Sequence, residues 1–331
     1  MRRPTRRTIY SGTFITAALI AAYTSQAAAE VAVENAEDGA TVTIDGKPFA
    51  TYVINSGHQP VIWPILGPGG QAMTRQYPLG KLQPGEEDDH PHHRSLWFNH
   101  GLVNGTDFWK EPEEGKPQGH IVHREFAQLE SGDTARIVAK NDWMSDGKKV
   151  AEDVRTIEFG ADEFGRWIDF AVEFLASEGD VVLGDTKEGS FGVRVPGTMD
   201  VEAKLGGRIL NSRGQTDEGA WGRAAEWVDY RGPVEGKPAG VAIFDMPDSF
   251  RHPAKWHVRT YGLFAANPFG QEEFPQSDDP VQGDSILAKG TTRRFHYRVL
   301  FYEGEKSAEE LGEIYEAYAG GLTAKDAKSA K

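Results

Sequence analysis

The chain contains no cysteine. That excludes disulfides, thiolate zinc sites, iron–sulfur clusters and cysteine nucleophiles, so a core alone must hold the fold together. Basic residues are also short: 36 Lys and Arg stand against 50 Asp and Glu, a formal net charge of -14. A surface so acidic repels nucleic acid and anionic lipid, although a local arginine cluster can still hold a small anion. Beyond residue 29 no apolar run approaches the roughly 20 residues a spanning helix needs, so no membrane insertion is expected there. Helical periodicity is scarce. A glycine-rich phosphate loop, a dinucleotide fingerprint, a Gly-x-Ser-x-Gly elbow and a His-Glu-x-x-His zinc helix are all missing.

Residues 1–29 have the layout of an export signal. Arg2, Arg3, Arg6 and Arg7 precede a short apolar stretch from Phe14 to Ala22, and Ala27-Ala28-Ala29 offers small residues for cleavage. Export by a general secretory or a twin-arginine route would place residues 30–331 in the periplasm or outside the cell.

The remainder reads as one all-β domain over 30–319, a large antiparallel β-sandwich with long loops. Arg166–Leu175 alternates, with Ile168, Phe170, Val172 and Phe174 on one side. Arg293–Tyr302 repeats the pattern with Phe295, Tyr297, Val299 and Phe301. Trp256–Phe264 reads as one further strand with His257, Arg259 and Tyr261 sharing a face. Asp45-Gly46 predicts a hairpin turn. One short helix is expected over Ser307–Tyr318, opened by a Ser307/Glu310 capping box and stopped at Gly320-Gly321, with a flexible tail over 320–331.

Four of the ten histidines (His90, His92, His93, His100) lie between residues 88 and 109, with Arg94 and the aromatics Trp97, Phe98, Phe108 and Trp109. Such a segment supplies proton-transfer groups, an anion clamp and stacking surfaces together. Pro91 predicts an extended path that splits His93 from His90 and His92. Two of these histidines with a third from elsewhere, His123 or His257, would make a divalent-metal site; with none, the imidazoles serve acid–base chemistry or a solvated loop. Around Glu188, flanked by Lys187 and Arg194, a carboxylate at a strand mouth suits a general base or a hydroxyl acceptor, or a plain surface ion pair. His257, Arg259 and Tyr261 suit the lining of a wet cleft, and Asn267 begins a loop able to present an amide. Trp221 and Trp227 fit sugar stacking and a sandwich core equally.

Three stretches also carry a family resemblance. These are Asp89-His90-Pro91-His92-His93-Arg94-Ser95-Leu96-Trp97-Phe98, Thr186 through Arg194, and His252-Pro253 through Gly270. They resemble secreted bacterial proteins labelled PmoA-like, or "methane oxygenase PmoA". The resemblance implies a galactose-mutarotase-like supersandwich, an architecture whose members act on sugars as epimerases, lyases or hydrolases. The methane monooxygenase subunit of that name is an integral membrane protein, so the label names other chemistry.

The expectation is an exported carbohydrate-active enzyme. His92 or His93 acts as general acid or base with Glu188 as counterpart. Arg94, Arg194 and Arg259 orient a carboxylate or hydroxyls. His257, Tyr261, Asn267 and Trp97 complete the cleft. Alanine at His93 or Glu188 would then abolish turnover and leave the melting temperature nearly unchanged. A copper or iron oxidoreductase and a non-catalytic glycan-binding protein are the alternatives.

Overall fold

The computed structural model describes residues 29–116, 119–274 and 283–329. The segment expected to be an export signal lies outside them, save Ala29. The chain runs through β1 (Val31–Ala36), β2 (Gly39–Ile44), β3 (Lys47–Ser56), β4 (Gln59–Ile65) and β5 (Leu96–His100). It continues through β6 (Gly119–Glu130), β7 (Ala135–Ser145), β8 (Lys148–Asp162) and β9 (Gly165–Leu175). Then come β10 (Val181–Leu183), β11 (Gly189–Arg194), β12 (Arg208–Asn211), β13 (Trp227–Val234) and β14 (Lys237–Asp245). Last are β15 (Lys255–Val258), β16 (Leu263–Asn267), β17 (Ser285–Leu287), β18 (Thr292–Glu303) and α1 (Ala308–Ser329). One sheet has the order β1-β2-β3-β4-β5-β11-β16-β15 and the other β12-β13-β14-β18-β9-β8-β7-β6, with β10 and β17 as a small ribbon. The fold is an all-β antiparallel sandwich carrying a C-terminal helix.

Period-2 alternation explains the layering. Ile168, Phe170, Val172 and Phe174 of β9, with Phe295, Tyr297, Val299 and Phe301 of β18, enter the core between the sheets. They meet Phe98, Phe191, Val193, Trp256, Val258 and Phe264 of the first sheet there. Each such side chain contributes roughly 1.5–3 kcal/mol on burial, enough in sum to hold a fold that has no cross-links. A buried polar knot also bridges the layers. Asp153 accepts from Trp143 Nε1 at 2.8 Å and pairs with Arg155 at 3.0 Å, and Arg155 donates to the Phe98 carbonyl at 3.1 Å.

Asp45-Gly46 forms its hairpin with both residues at positive φ (50° and 72°), as a tight turn of this type demands. The capping box also forms: Ser307 N donates to Glu310 Oε2 at 2.7 Å and Glu310 N to Ser307 Oγ at 3.1 Å. Leu311, Ile314 and Tyr315 then pack on Trp227, Phe244, Leu300 and Tyr302, the outer face of the second sheet. The helix is longer than expected, passing through Gly320-Gly321 to Ser329.

The single strand expected over Trp256–Phe264 is instead a hairpin, β15 and β16. Gly262 at φ +99° donates to the Arg259 carbonyl at 3.0 Å and Arg259 N to Leu263 O at 2.8 Å, closing the turn. Side-chain alternation continues through those residues, so the pattern hid the reversal. Long connections cover the outer face of the first sheet, above all residues 66–95 between β4 and β5.

Candidate functional site

The residues that alternate away from the core on β5, β11, β16 and β15 form one row. Trp97 pairs with Gly192, Gly192 with Ala265, and Ala265 with His257. Three interstrand steps separate Trp97 from His257, roughly 14 Å. Only glycine fits between them at β11, since a Cβ on Gly192 would lie 2.6 Å from Trp97 Cε2. Trp97, Trp109, Leu263 and Ala265 make an apolar floor, and Tyr261 packs on it.

The histidine loop settles on this floor. The His93 ring stacks on Trp97 (centroids 5.5 Å, 11°) and is 1% exposed. His90 stacks between His93 (4.9 Å) and Tyr261 (5.3 Å), and His92 meets His93 edge-on at 4.4 Å. The extended path expected at His90 is therefore overturned: its φ is +43° and the three rings cluster. The cause is a turn closed by His93 N to His90 O at 2.9 Å and gripped by Arg75. Arg75 donates to the carbonyls of Asp89 (3.0 Å), His90 (2.9 Å) and His93 (3.3 Å) and to Asp89 Oδ1 (2.6 Å). Asp89 also receives Arg194 Nη2 at 3.3 Å and faces His90 Nδ1 at 2.5 Å. Burial pushes the Asp89 carboxyl up, but Arg194, His90 and Arg75 outweigh it and hold it below its ordinary value.

Burial lowers three imidazoles of the site, His92, His93 and His257. Burial, with His92 and Arg194 beside it, drives His93 well below 6.5, and its Nδ1 accepts from Arg194 Nη1 at 3.2 Å, so its proton sits on Nε2. Burial and His90 take His92 down to about 4. His257 is 3% exposed and burial takes it to about 4. Its Nδ1 lies 2.8 Å from the Lys187 carbonyl, which can only accept, so the Nε2 lone pair is left unprotonated. Glu188 shifts the other way: burial raises its carboxyl despite Lys187 and Lys110. At the rim, Arg259 lies 5.5 Å from the Trp221 ring and 5.6 Å from Tyr261, while Arg194 lies 4.9 Å from Tyr261. Tyr261 feels the charges of Arg259, Arg194, Glu188 and Asp89 together, although burial is what raises its phenol most.

Several expected site residues have other work. Arg94 donates to Glu111 at 2.9 and 3.0 Å and to Ser56 Oγ at 3.2 Å, so its guanidinium is engaged. Burial would raise Glu111, but His58 and Arg94 hold it at about 2. Asn267 is fully buried, its Nδ2 donating to Thr186 O and its Oδ1 accepting from Phe269 N, both at 2.9 Å; it shapes the Glu188 segment instead of presenting an amide. Trp97 is 1% exposed and serves as floor, not as a stacking face. His123 sits on β6, in the opposite sheet, against Phe126 (4.4 Å) and Tyr52 (6.0 Å). Among the described residues no group of three His, Cys, Asp or Glu side chains is placed to hold a metal ion, and no helix is long and apolar enough to cross a membrane. A cleft of about 450 Å³ opens beside the loop, lined by Arg75, Asp89, Arg194, Asp200, Glu202 and Tyr261 among others. It includes none of His92, His93, Glu188 and His257.

A family model described as a family of unknown function, DUF6807, matches residues 39–316. The chain belongs to DUF6807. That match overturns the PmoA-like resemblance: the three stretches that suggested it are DUF6807 sequence, and the methane-oxygenase label goes with it. Comparison with curated proteins finds no match. Among solved structures the DUF6807 chain is similar to a β-arabinopyranosidase at 9% identity and TM-score 0.33, over 83% of this chain and 38% of that one. It is similar to a Glycoside Hydrolase Family 97 enzyme from Pseudoalteromonas sp. strain K8 in complex with panose, at 9% identity and TM-score 0.32, over 84% and 34%. It is similar to a polysaccharide lyase at 11% identity and TM-score 0.28, over 85% and 33%. The DUF6807 chain thus spans little more than a third of these proteins, and likeness at this level says nothing about chemistry. Arg75 and Glu111 of this DUF6807 chain, which organise the loop, had no sequence signal. The partners of each come from other segments of the chain.

Proposed function

We propose that this protein is a carbohydrate-active enzyme working by acid–base chemistry on the outer face of its first sheet. The observation that carries this is the convergence on Tyr261 of groups from three remote segments: His90 with its partner Asp89, then Arg194, then Arg259. His257 offers an unprotonated Nε2 and takes the proton. Glu188, its carboxyl raised by burial, supplies one. Trp221 and Tyr261 give apolar faces for sugar C–H groups, and Arg259 offers donors to the sugar's oxygens. His93, buried and bonded to Arg194, is a positioning residue. An export signal over residues 1–29 would put this activity in the periplasm or outside the cell.

A non-catalytic glycan-binding protein is the second reading. It is favoured by one fact: the cleft at Arg75, Asp89, Arg194 and Tyr261 holds none of the proton-transfer residues. The oxidoreductase alternative lost its support with the methane-oxygenase label. The test is turnover of glycosides, uronides and 3-keto-glycosides by purified protein. Glu188→Gln is expected to cut kcat by about 10²-fold or more, while Tm stays close to wild type because the Glu188 side chain is 23% exposed and its nearest cation, Lys187, lies 4.0 Å away. Saccharide binding by wild-type protein with no turnover of any of the three classes would sink the enzymatic reading in favour of the binding one.

A further inference from the structure

Most arginines on the two faces of this acidic protein are spoken for. Arg94 is held by Glu111, Arg75 and Arg194 share Asp89, Arg294 spans Glu173 and Asp248, and Arg298 pairs with Asp169. Arg259 differs. It is partly buried at the hairpin turn between β15 and β16, and no carboxylate among the described residues pairs with it. Its backbone is fixed by Arg259 N to Leu263 O at 2.8 Å, by Gly262 N to its own carbonyl at 3.0 Å, and by Tyr230 Oη to that carbonyl at 3.2 Å. Its guanidinium is steadied by the Trp221 and Tyr261 rings. Contacts with ring faces leave the edge N–H donors of a guanidinium unspent. A fixed, partly desolvated cation with unspent donors is completed best by an anion that accepts two parallel bonds. Its charge also reaches His257, the proposed base.

We infer that the saccharide bound here is acidic, a uronate whose carboxylate docks on Arg259 while its ring lies against Trp221 or Tyr261. This rests on the acid–base reading of the same site for its catalytic meaning, but not for binding itself. The Arg259 edge selects a planar carboxylate over a hydroxymethyl group, and the neighbouring indole and phenol supply the apolar contact with the sugar's C–H face.

The experiment is calorimetric titration of the whole protein with oligogalacturonides, alginate oligosaccharides and glucuronoxylan oligosaccharides, each against its carboxyl-reduced counterpart. At least one acidic oligosaccharide is expected to bind about tenfold or more tightly than its reduced form. Arg259→Gln should erase that preference, and Arg259→Lys, which keeps charge and loses the fork, should retain only part of it. Tm of both variants is recorded, and Arg259→Lys carries the test if Arg259→Gln does not fold. Equal binding of acidic and reduced forms, a preference that survives Arg259→Gln, or no binding of any acidic oligosaccharide would each overturn the inference. Glu188-dependent turnover of neutral glycosides alone would overturn it and leave the acid–base reading standing. Carboxylate-dependent binding without turnover would do the reverse.

Discussion

Arg194 Nη1 donates to His93 Nδ1 across 3.2 Å, joining two side chains 101 positions apart in sequence. The bond fixes the His93 tautomer, and the same guanidinium reaches Asp89 with Nη2. Loop and strand are thereby locked at the floor of the candidate site.

The expectation that His93→Ala leaves stability untouched does not survive this geometry. Arg194→Met leaves a buried ring nitrogen unpaired and Asp89 with Arg75 as its remaining arginine partner, so a loss of about 1–3 kcal/mol is expected. A double-mutant cycle with His93→Ala, read by urea unfolding, should show coupling of about 0.5–3 kcal/mol. Additive losses would mean the bond does not contribute.

Gly192→Ala tests the floor. The new methyl would meet the Trp97 indole, and either ring or strand must shift. Overpacking of this kind costs about 1–3 kcal/mol, and near-ultraviolet circular dichroism should register the displaced indole. An unchanged spectrum with an unchanged Tm would contradict the packing described.

Acid below pH 6.5 should destabilise the fold through its buried imidazoles. Burial holds His100 at about 4, even though its Nε2 lies 2.9 Å from the Gly184 carbonyl, and burial holds His257 at about 4 as well. Below 6.5 the unfolded chain takes up these protons and the native state does not. Stability is therefore full above pH 6.5 and falls as pH drops toward 4. Urea midpoints measured from pH 7 to 4.5 should decline, and His100→Gln should flatten the decline. A slope unaffected by that substitution would rule His100 out as a source.

The opposite sign applies to His296. Its Nε2 and Nδ1 each lie 2.7 Å from a carboxylate, of Asp169 and Asp248; burial alone would lower it, yet these partners raise it to about 9. Its contribution is full below 6.5 and is lost as pH rises through about 9. His296→Gln should cost most near pH 6 and progressively less by pH 9.5. A constant difference across that range would show the imidazole is not charged in the fold.

Strands with four consecutive inward apolar residues were legible, as β9 and β18 show, because burial on one face imposes a period of two whatever the partner strand. The capping box was legible for a similar reason: both of its bonds lie within four residues. The hairpin at Arg259–Gly262 was not. Residue types alternate straight through it, and only the pairing of Phe264 and Ala265 with Val258 and His257 shows that the chain turned back. The left-handed His90 was equally hidden, since its conformation is stabilised by Arg75, fifteen residues upstream, collecting carbonyls.

For the candidate site, the sequence by itself determined which segments are rich in imidazoles, guanidiniums and carboxylates, because those types are fixed by residue identity. Which of those groups are free was decided only by tertiary structure. Arg94, Asn267 and His93 spend their polar atoms on Glu111, Thr186 and Arg194, whereas Arg259 and the His257 Nε2 spend none. The reason is physical: a hydrogen-bonding group's availability depends on what lies within about 3 Å of it, and those neighbours come from strands and loops that only folding brings together.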